Sequence, residues 1–419
     1  MKILFINAVC VSDSPGVIAS SKAKEFLNEG HEIMFAYGRD NVVPDWLRPY
    51  SYKIGSDLEV NIHGVCTRLF DRHGFCSTKG TEEFLKEAEE FNPDIVWLHN
   101  LHGYYINVEK LFKWIKSRPN MRVKWTLHDC WAFTGHCAYF TYAACDKWKT
   151  LCKKCPQKNM YPKSFIDNSK SNYERKKELF TGVNDMTIIT PSKWLADLVK
   201  ESYLSEYDVE VVNNTINTDV FKPSPSSFRL DYQLGDKKIL LGVASPWSAR
   251  KGLEHIIKLA SMLDDNYVVV LVGLSSEQIK DLPKDFEGIK FIENVGKSSM
   301  FSTKHTDVTV DDLPAGQVHF ENKNGCAVVQ DPRAMRNIIY TNATDKSYSF
   351  GANIIAFERT DSAEELAQFY TAADYFVNTT LEENYPTVNL EAIACGTKVI
   401  TYDTGGSRET LNYMIGNEE

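Results

Sequence analysis

Short apolar segments alternate with longer amphipathic ones along the first half of the chain. The apolar segments cover residues 3–6, 32–37, 95–98, 123–127, 186–190 and 209–212, and each precedes a stretch long enough for a helix. Strands separated by helices are typical of βαβ units, in which helices cover both faces of a parallel sheet. The pattern therefore predicts a first doubly wound, Rossmann-like α/β domain over residues 1–221.

The same alternation restarts after a segment rich in proline and serine. Phe221-Lys222-Pro223-Ser224-Pro225-Ser226-Ser227 has the composition of a linker, which we place at residues 222–235. Further apolar segments follow at residues 239–243, 267–272, 353–357, 375–377 and 398–402. They predict a second domain of the same architecture over residues 236–419.

Residues 285–352 interrupt the second domain. This segment is rich in Gly, Asn, Thr and Asp, and it contains only short candidate strands such as residues 317–320. A structureless loop of that length is rare inside a compact domain, so we expect an insertion with some order of its own. Its deletion should leave ligand binding intact. The chain ends soon after Gly405-Gly406, so we also expect the second domain to be truncated at its end.

Composition and charge narrow the class of protein. The 419 residues are 43% hydrophobic and 25% charged, as in an ordinary globular protein of two domains. The net charge of −9 argues against nucleic acid as the main partner. Polar Asn7 cuts the first apolar segment too short for an export signal, and no segment is apolar for long enough to span a bilayer. We therefore expect a cytoplasmic protein whose ten cysteines are in a reducing compartment.

A loop rich in cysteine and lysine, at residues 130–165, departs from the acidic average. Cys137, Cys145, Cys152 and Cys155 include one C-x2-C pair and are candidate ligands of a structural zinc, with unligated or disulfide-bonded cysteines as the alternative. Ten Lys or Arg and three acids lie between Asp146 and Lys177. With its aromatic neighbours, this basic segment is either a contact for an anionic lipid surface or a solvated loop.

The strongest local signal is the run Glu383-Asn384-Tyr385-Pro386-Thr387-Val388-Asn389-Leu390-Glu391. Pro386 suits the entry to a helix, and Gly396 suits its end. The N–H groups of the first turn, at Thr387 and Val388, would bind an anion such as a diphosphate. Glu383 and Glu391 lie on either side of that turn and can accept hydrogen bonds from sugar hydroxyls. The alternative is a capped helix on the surface.

Four further loops follow predicted strands, where open α/β sheets bind ligands. One carries Gly405-Gly406, whose backbone can approach a phosphate closely. Another runs from Ser245 to the cations Arg250 and Lys251, which can neutralise a diphosphate. In the first domain His128 follows a strand, and the loop with Gly16 is expected to face the same cleft.

These motifs together resemble the retaining glycosyltransferases of family 4, also called group 1. The resemblance rests on Arg250-Lys251-Gly252, on Glu383 and Glu391 with the following Ala392-Ile393-Ala394-Cys395-Gly396, and on Gly405-Gly406 with Glu409. The stretches at residues 126–137 and 190–195 are similar to the bacterial exopolysaccharide branch, which includes colanic-acid-type enzymes. The resemblance implies the GT-B fold: two Rossmann-like domains facing a cleft, here with an inserted segment in the second.

The resemblance also implies roles for particular residues. Glu391 would bind the nucleotide ribose, Glu383 the donor sugar and Lys251 the diphosphate, while His128 matches a first-domain histidine near the transferred sugar. The chain departs from the family at Ser245, where an arginine is usual, so Arg250 would supply that charge. Pro386 replaces a loop glycine, and Asn214-Thr215-Ile216-Asn217 replaces the usual Asn-Gly-Ile-Asp.

The resulting expectation is a transferase that moves a sugar from a nucleoside diphosphate sugar to a glycan or lipid-linked acceptor. No cofactor is expected for the chemistry, since Arg250, Lys251 and the helix start take the usual part of magnesium. Contact with the cytoplasmic face of the inner membrane is a further expectation. The alternatives are an epimerase or hydrolase of nucleotide sugars on the same fold, and a non-catalytic glycan-binding protein.

Overall fold

A computed structural model describes residues 1–39, 42–282, 318–320, 326–329 and 353–413. The chain divides into two compact units, Met1–Thr215 and Ile216–Glu419. The domain bounds drawn from the sequence, with a linker at residues 222–235, remain a prediction. Within those residues the structure has a short helix at Phe228–Asp231.

The first unit contains a parallel sheet. Its described strands are β1 (Lys2–Asn7), β2 (Glu32–Tyr37), β3 (Ser51–Lys53), β4 (Ile95–Leu98), β5 (Arg122–Thr126), β6 (Met186–Thr190) and β7 (Asp208–Val211). They lie in the order β3-β2-β1-β4-β5-β6-β7. Six of these strands are those predicted from the apolar segments, to within a residue at each end. The apolar pattern did not predict β3, which has three residues and no fully buried side chain.

Helices connect these strands, and local capping fixes where several of them begin. They are α1 (Asp13–Asn28), α2 (Asp57–Phe70), α3 (Thr78–Phe91), α4 (Val108–Lys116), α5 (Ser169–Phe180) and α6 (Lys193–Glu201). The side chain of Asn107 accepts hydrogen bonds from the backbone of Glu109 and Lys110 at the start of α4. Such caps satisfy N–H groups that have no partner inside the helix.

Aromatic residues fill the core on the two faces of this sheet. On one face Phe5 stacks on Phe35 and Trp97, with ring centroids 6.0 and 5.7 Å apart. On the other face Trp125 packs against Phe112 and Phe180. Burial on both faces explains why the strands appear in the sequence as continuous apolar segments.

One loop expectation in this unit is wrong. Ser14-Pro15-Gly16 was expected to form a loop, but α1 begins at Asp13 and includes all three residues. Pro15 is tolerated there because N–H groups of the first turn have no intrahelical acceptor. Gly16 is buried, and a β-carbon on it would crowd Val9.

The second unit contains a mixed sheet in the order β10-β11-β14-β13-β8-β9-β12. Its described strands are β8 (Lys238–Val243), β9 (Tyr267–Val272), β10 (Val318–Phe320), β11 (Ala327–Val329), β12 (Asn353–Phe357), β13 (Tyr375–Asn378) and β14 (Lys398–Tyr402). Only β10 is antiparallel to its neighbour among these strands. The helices are α7 (Phe228–Asp231), α8 (Leu253–Ala260), α9 (Ser276–Asp281), α10 (Ala363–Ala372) and α11 (Thr387–Ala394).

The expected insertion at residues 285–352 contributes to this sheet. Strand β11 pairs in parallel with β14, and Cys326, Val328 and Val329 are buried in the core of the unit. These residues belong to the core of the unit, and the expectation that deletion of residues 285–352 leaves ligand binding intact stays a prediction. Most of the remaining segment, from 285 to 317 and from 330 to 352, lies outside the described residues.

Candidate functional site

Three loops meet at the carboxyl ends of three neighbouring strands in the second unit. They follow β8, β13 and β14, which are adjacent in the sheet. The backbone N–H of Leu381 donates to the carbonyl of Arg250 at 2.8 Å, which joins the first two loops. The hydroxyl of Thr404 donates to the carbonyl of Leu381 at 2.8 Å, which joins the third. The structure thus brings the predicted site residues of this unit into one region.

Two glycines allow these loops to approach closely. Gly252 has φ +73°, and a β-carbon there would overlap the carbonyl oxygen of Thr379. Gly405 has φ +56°, and a β-carbon there would overlap the carbonyl oxygen of Glu383. Residues with a side chain rarely adopt this left-handed backbone conformation, and a β-carbon at either position would overlap a carbonyl oxygen. Both positions therefore favour glycine. Gly405 contributes to the site by packing closely against the backbone of the loop that carries Glu383.

An ion pair lies at the centre of this region. The Lys251 ammonium is 2.7 Å from Oε2 of Glu383, whose side chain is 13% exposed. The Arg250 guanidinium is 3.9 Å from the same oxygen and donates to the carbonyl of Glu382 at 2.6 Å. Burial favours a neutral Glu383, but the two cations outweigh it and lower the pKa of this carboxyl. At neutral pH the centre therefore holds two positive charges and one negative charge.

Glu391 lies on α11 in a different environment. Its Oε2 accepts a hydrogen bond from the hydroxyl of Tyr370 at 3.0 Å. Burial raises the pKa of Glu391 to about 7, although hydrogen bonds from Tyr370 and Thr387 oppose the shift. The two glutamates of the motif thus have opposite pKa shifts, because only Glu383 has cations beside it.

The start of α11 is fixed by buried polar side chains. Pro386 precedes the helix, as the sequence predicted, and Thr387 and Val388 form its first turn. Asn389 accepts a hydrogen bond from the amide of Asn378 at 2.9 Å and donates one to the hydroxyl of Thr410 at 2.8 Å. These bonds tie α11 to β13 and to the turn Arg408–Asn412. The orientation of the helix start is therefore set by the sheet.

Ser245 follows β8 and is exposed to solvent. Arg250, five residues later in the same loop, contacts the loop that carries Glu382 and Glu383. The loop thus has its guanidinium at Arg250 rather than at Ser245. That Arg250 supplies the charge to a bound diphosphate stays a prediction.

His128 in the first unit is one of a pair of histidines. Its Nε2 lies 3.0 Å from Nδ1 of His99, which follows the neighbouring strand β4. Burial lowers the pKa of His128 to about 4 and holds the pKa of His99 well below its usual value. Both rings are therefore neutral at pH 7, so one ring donates the shared hydrogen bond and the other accepts it.

A histidine–aspartate pair lies next to these two histidines. Nε2 of His102 is 2.8 Å from Oδ2 of Asp129, and its Nδ1 is 3.0 Å from the hydroxyl of Tyr161. Burial opposes ionisation of Asp129, but His102 and the backbone of Trp131 lower the pKa of its carboxyl overall. Sequence reasoning singled out neither His99 nor His102. Their signal was His99-Asn100-Leu101-His102, which follows a predicted strand directly.

The four candidate zinc ligands line one small cavity of about 10 Å³ in the first unit. A hydrogen bond joins the thiols of Cys137 and Cys155; it lowers the pKa of Cys155 to about 7 and, with burial, raises that of Cys137. In the described part of the chain, no group of three or more His, Cys, Asp or Glu is arranged to hold a metal ion. The zinc hypothesis is therefore not supported, and none of the ten cysteines, all described, forms a disulfide.

Comparison with known proteins agrees with the motifs. Residues 343–413 match the family described as "Glycosyl transferases group 1". The "Putative colanic acid biosynthesis glycosyl transferase WcaC" of Escherichia coli (strain K12) is 31% identical over 227 residues, which are 52% of this chain and 55% of that protein. The chain thus spans about half the length of the curated relative that it matches.

Solved structures resemble the chain over most of its length. Sucrose-phosphate synthase from Thermosynechococcus elongatus has a TM-score of 0.55 at 13% identity, covering 97% of this chain and 82% of its own. Anabaena Alr3699/HepE in complex with UDP-glucose has a TM-score of 0.52 at 13% identity, covering 98% and 82%. WaaG, a glycosyltransferase involved in lipopolysaccharide biosynthesis, has a TM-score of 0.54 at 13% identity, covering 98% and 84%.

Identities this low show the fold alone, and that fold is the two-domain α/β GT-B fold predicted from the motifs. The resemblance to the group 1 glycosyltransferases is confirmed by the family match and by the curated relative.

Proposed function

We propose that this chain, which has the GT-B fold and a group 1 glycosyltransferase region, is a retaining glycosyltransferase of cell-surface polysaccharide synthesis. It takes a sugar from a nucleoside diphosphate sugar and transfers it to a glycan or lipid-linked acceptor. The observation that carries this proposal is that Lys251 and Arg250 lie 2.7 and 3.9 Å from the carboxylate of Glu383, in the loop that leads into α11.

The diphosphate of the donor fits the positive side of this centre. Lys251 and Arg250 offer an ammonium and a guanidinium, and N–H groups in the first turn of a helix favour an anion. Thr387 and Val388 form that turn, and Gly405 packs against the backbone carbonyl of Glu383. A diphosphate at Lys251 competes with Glu383 for the ammonium. Glu383 can then accept a hydrogen bond from a hydroxyl of the donor sugar.

Glu391 suits the ribose of the nucleotide. A carboxyl with a pKa of about 7 is protonated in about half of the molecules at neutral pH. It can accept a hydrogen bond from one ribose hydroxyl and, when protonated, donate one to the other. Its bond from Tyr370 fixes the orientation of the group.

His128 is assigned to the transferred sugar by the family resemblance. Because its imidazole is neutral at pH 7, it can hydrogen-bond a sugar hydroxyl without bringing a positive charge to the reacting carbon. Asp129 is the next residue in the chain, and its contact with His102 at 2.8 Å restrains this loop.

The reaction needs the nucleoside diphosphate to leave and the acceptor oxygen to attack the same face of the sugar. The bond from the anomeric carbon to the diphosphate oxygen breaks as negative charge develops on that oxygen. Lys251 and Arg250 stabilise this charge, which is stronger in the transition state than in the bound donor. The acceptor oxygen forms the new bond to the anomeric carbon, and its proton passes to the departing diphosphate oxygen.

The acceptor and the cell compartment are parts of this proposal. In the described residues no helix is both long and apolar enough to cross a membrane. We place the protein in the cytoplasm, where it acts peripherally on the cytoplasmic face of the inner membrane if its acceptor is lipid-linked. The basic segment between Asp146 and Lys177 supports that placement.

The test uses the purified full chain and a panel of nucleoside diphosphate sugars. Thermal stabilisation first identifies the donor, because a ligand that binds the folded state raises the melting temperature. Transfer to a lipid-linked acceptor, with the anomeric configuration retained, is the expected result. Release of free sugar or an epimerised donor without acceptor would support a hydrolase or epimerase, and failure to bind any nucleotide would contradict an enzyme of this class.

A further inference from the structure

Helix α2 (Asp57–Phe70) presents an apolar surface to solvent. Leu58, Ile62, Val65 and Leu69 recur at helical spacing and are 67%, 51%, 57% and 43% exposed. Residues at this spacing lie on one face of a helix. An outward face of four aliphatic residues is the reverse of the usual amphipathic pattern, in which the apolar face is buried.

The inner face of α2 is held by polar contacts instead. His63 is fully buried; its Nδ1 lies 2.8 Å from the hydroxyl of Ser77, and its Nε2 accepts from the backbone of Gly74 at 3.0 Å. Glu59 caps the helix through Ser56 and also accepts from the backbone of Gly80. Because these bonds fix the helix, its aliphatic face remains available to another partner.

A neighbouring loop extends this surface. Phe165 and Ile166 are 63% and 47% exposed. The backbone N–H of Phe165 donates to the carbonyl of Arg68 at 2.8 Å, and the Arg68 guanidinium lies 5.9 Å from the centre of the Phe165 ring. The loop is thereby attached to the last turn of α2. We refer to the four aliphatic residues of α2 together with Phe165 and Ile166 as the α2 surface.

The basic segment that contains Phe165 and Ile166 carries exposed positive charge. Lys153, Lys154 and Lys163 are exposed, in the same basic segment as Phe165, and have no acidic partner in the described part of the chain. The acids at the start of α2 are occupied, since Asp57 pairs with Lys53 at 2.7 Å and Glu59 forms the cap. This local excess of cations stands in a chain whose net charge is −9.

We propose that the α2 surface docks on an anionic lipid bilayer, with its apolar side chains in the interface and the lysines at the headgroups. Apolar residues flanked by unpaired cations fit this partner, because burial of apolar area and attraction to anionic lipid act together. The inference rests on the proposed function, as it names the surface that would bring the enzyme to a lipid-linked acceptor. A second copy of the chain fits less well, because an isologous contact would bring the lysines of both copies together.

Vesicle flotation of the full chain tests this proposal without any donor or acceptor. The expected result is binding to vesicles that contain phosphatidylglycerol, no binding to pure phosphatidylcholine, and a loss of binding as salt concentration rises. Ile62→Asp should weaken binding about tenfold or more, because it puts a charge on the inserted face. Lys163→Gln should weaken it about fivefold, the effect of roughly one lost cation near an anionic surface.

The matched control is Leu230→Asp. Leu230 is an 82% exposed aliphatic residue on α7 in the second unit, outside the α2 surface. This variant should bind the vesicles as the unmodified chain does, and Ile62→Asp should keep nucleotide-induced thermal stabilisation. Failure of the unmodified chain to bind anionic vesicles would overturn the docking proposal, as would equal losses in Ile62→Asp and Leu230→Asp. A dimer that Ile62→Asp converts to monomer, without vesicle binding, would assign the surface to a second copy. None of these results bears on sugar transfer, which is measured with a soluble acceptor analogue.

Discussion

The Lys251 ammonium lies 2.7 Å from Oε2 of Glu383, although 132 residues separate the two in the sequence. The pair joins the loop after β8 to the loop that precedes α11. The family resemblance assigns the two residues to different parts of the donor. Lys251 is assigned to the diphosphate and Glu383 to the sugar. Their contact makes the binding of these two parts of the donor interdependent.

Replacing Lys251 tests the proposed stabilisation of the leaving group. Lys251→Ala should lower kcat by about tenfold or more, because the ammonium acts on charge that develops in the transition state. Lys280→Ala removes an exposed lysine of α9 in the same unit and serves as the control. Steady-state kinetics with the identified donor give the answer. Equal kcat values in the two variants would show that Lys251 does not stabilise the leaving group.

Glu391 should govern the affinity for the nucleotide. Glu391→Ala should weaken nucleoside diphosphate binding about tenfold or more, because both the carboxyl oxygens and the bond from Tyr370 are lost. Glu391→Gln keeps hydrogen-bonding atoms in place and should lose less. Calorimetry on both variants measures the difference. Unchanged affinity in Glu391→Ala would contradict its assignment to the ribose.

Stability should fall as pH rises past the ordinary pKa of a glutamate. The pKa of Glu391 is about 7 in the folded chain against 4.5 for an unperturbed side chain, so between these values the folded state binds more protons than the unfolded state. The free energy of unfolding therefore decreases from pH 4.5 to pH 7, by up to about 3 kcal/mol from this group. Glu391→Gln should be less sensitive to pH over that range. Denaturant unfolding of both proteins checks this, and identical pH profiles would contradict the burial of the carboxyl.

Gly405 offers a test of how closely the loops approach. Gly405→Ala should destabilise the chain by about 1–3 kcal/mol and weaken donor binding, because the new β-carbon overlaps the carbonyl of Glu383. Gly396→Ala is the matched control, since Gly396 also has a positive φ of +84° but only Pro223 lies near, at 3.7 Å. Thermal unfolding measures the loss of stability in each variant, and donor titration measures the loss of affinity. Both variants have the backbone strain, so a larger loss in Gly405→Ala reports the overlap. A Gly396→Ala variant that loses as much donor affinity would show that the overlap is unimportant.

Strand β11, within the segment at residues 285–352, gives a prediction about stability that the composition of the segment did not give. Deleting residues 318–329 should lower the melting temperature, because β11 covers the edge of β14 and places Val328 and Val329 in the core. Replacement of the exposed turn residues Gly235 and Asp236 serves as a control for altering the chain in this unit. A deletion variant as stable as the full chain would show that β11 is dispensable.

Sequence patterns predicted most strands because burial on both faces leaves continuous apolar segments. Strands β3 and β11 have three residues each, which is too short for such a pattern. The residues around Gly16 were interpreted as a loop because Pro15 and Gly16 usually indicate loops, but they lie in the first turn of α1. These errors share one cause, since in each case neighbours distant in the sequence decide the local structure.

The site was predicted as a set of residues rather than as a set of contacts. The motifs identified Lys251, Glu383 and Glu391, and all three lie in the region where the loops of the second unit meet. Sequence patterns contained no sign of the pairing of His128 with His99, because that contact depends on β4 and β5 being neighbours in the sheet. The opposite pKa shifts of the two glutamates also depend on spatial neighbours.

The most direct test of donor binding is a crystal structure of the chain with its nucleoside diphosphate sugar. We expect the diphosphate to lie against Lys251, Arg250 and the first turn of α11, with the ribose at Glu391 and the sugar at Glu383. A nucleotide bound elsewhere, with the Lys251–Glu383 pair intact and Glu391 still bonded only to Tyr370 and Thr387, would contradict it.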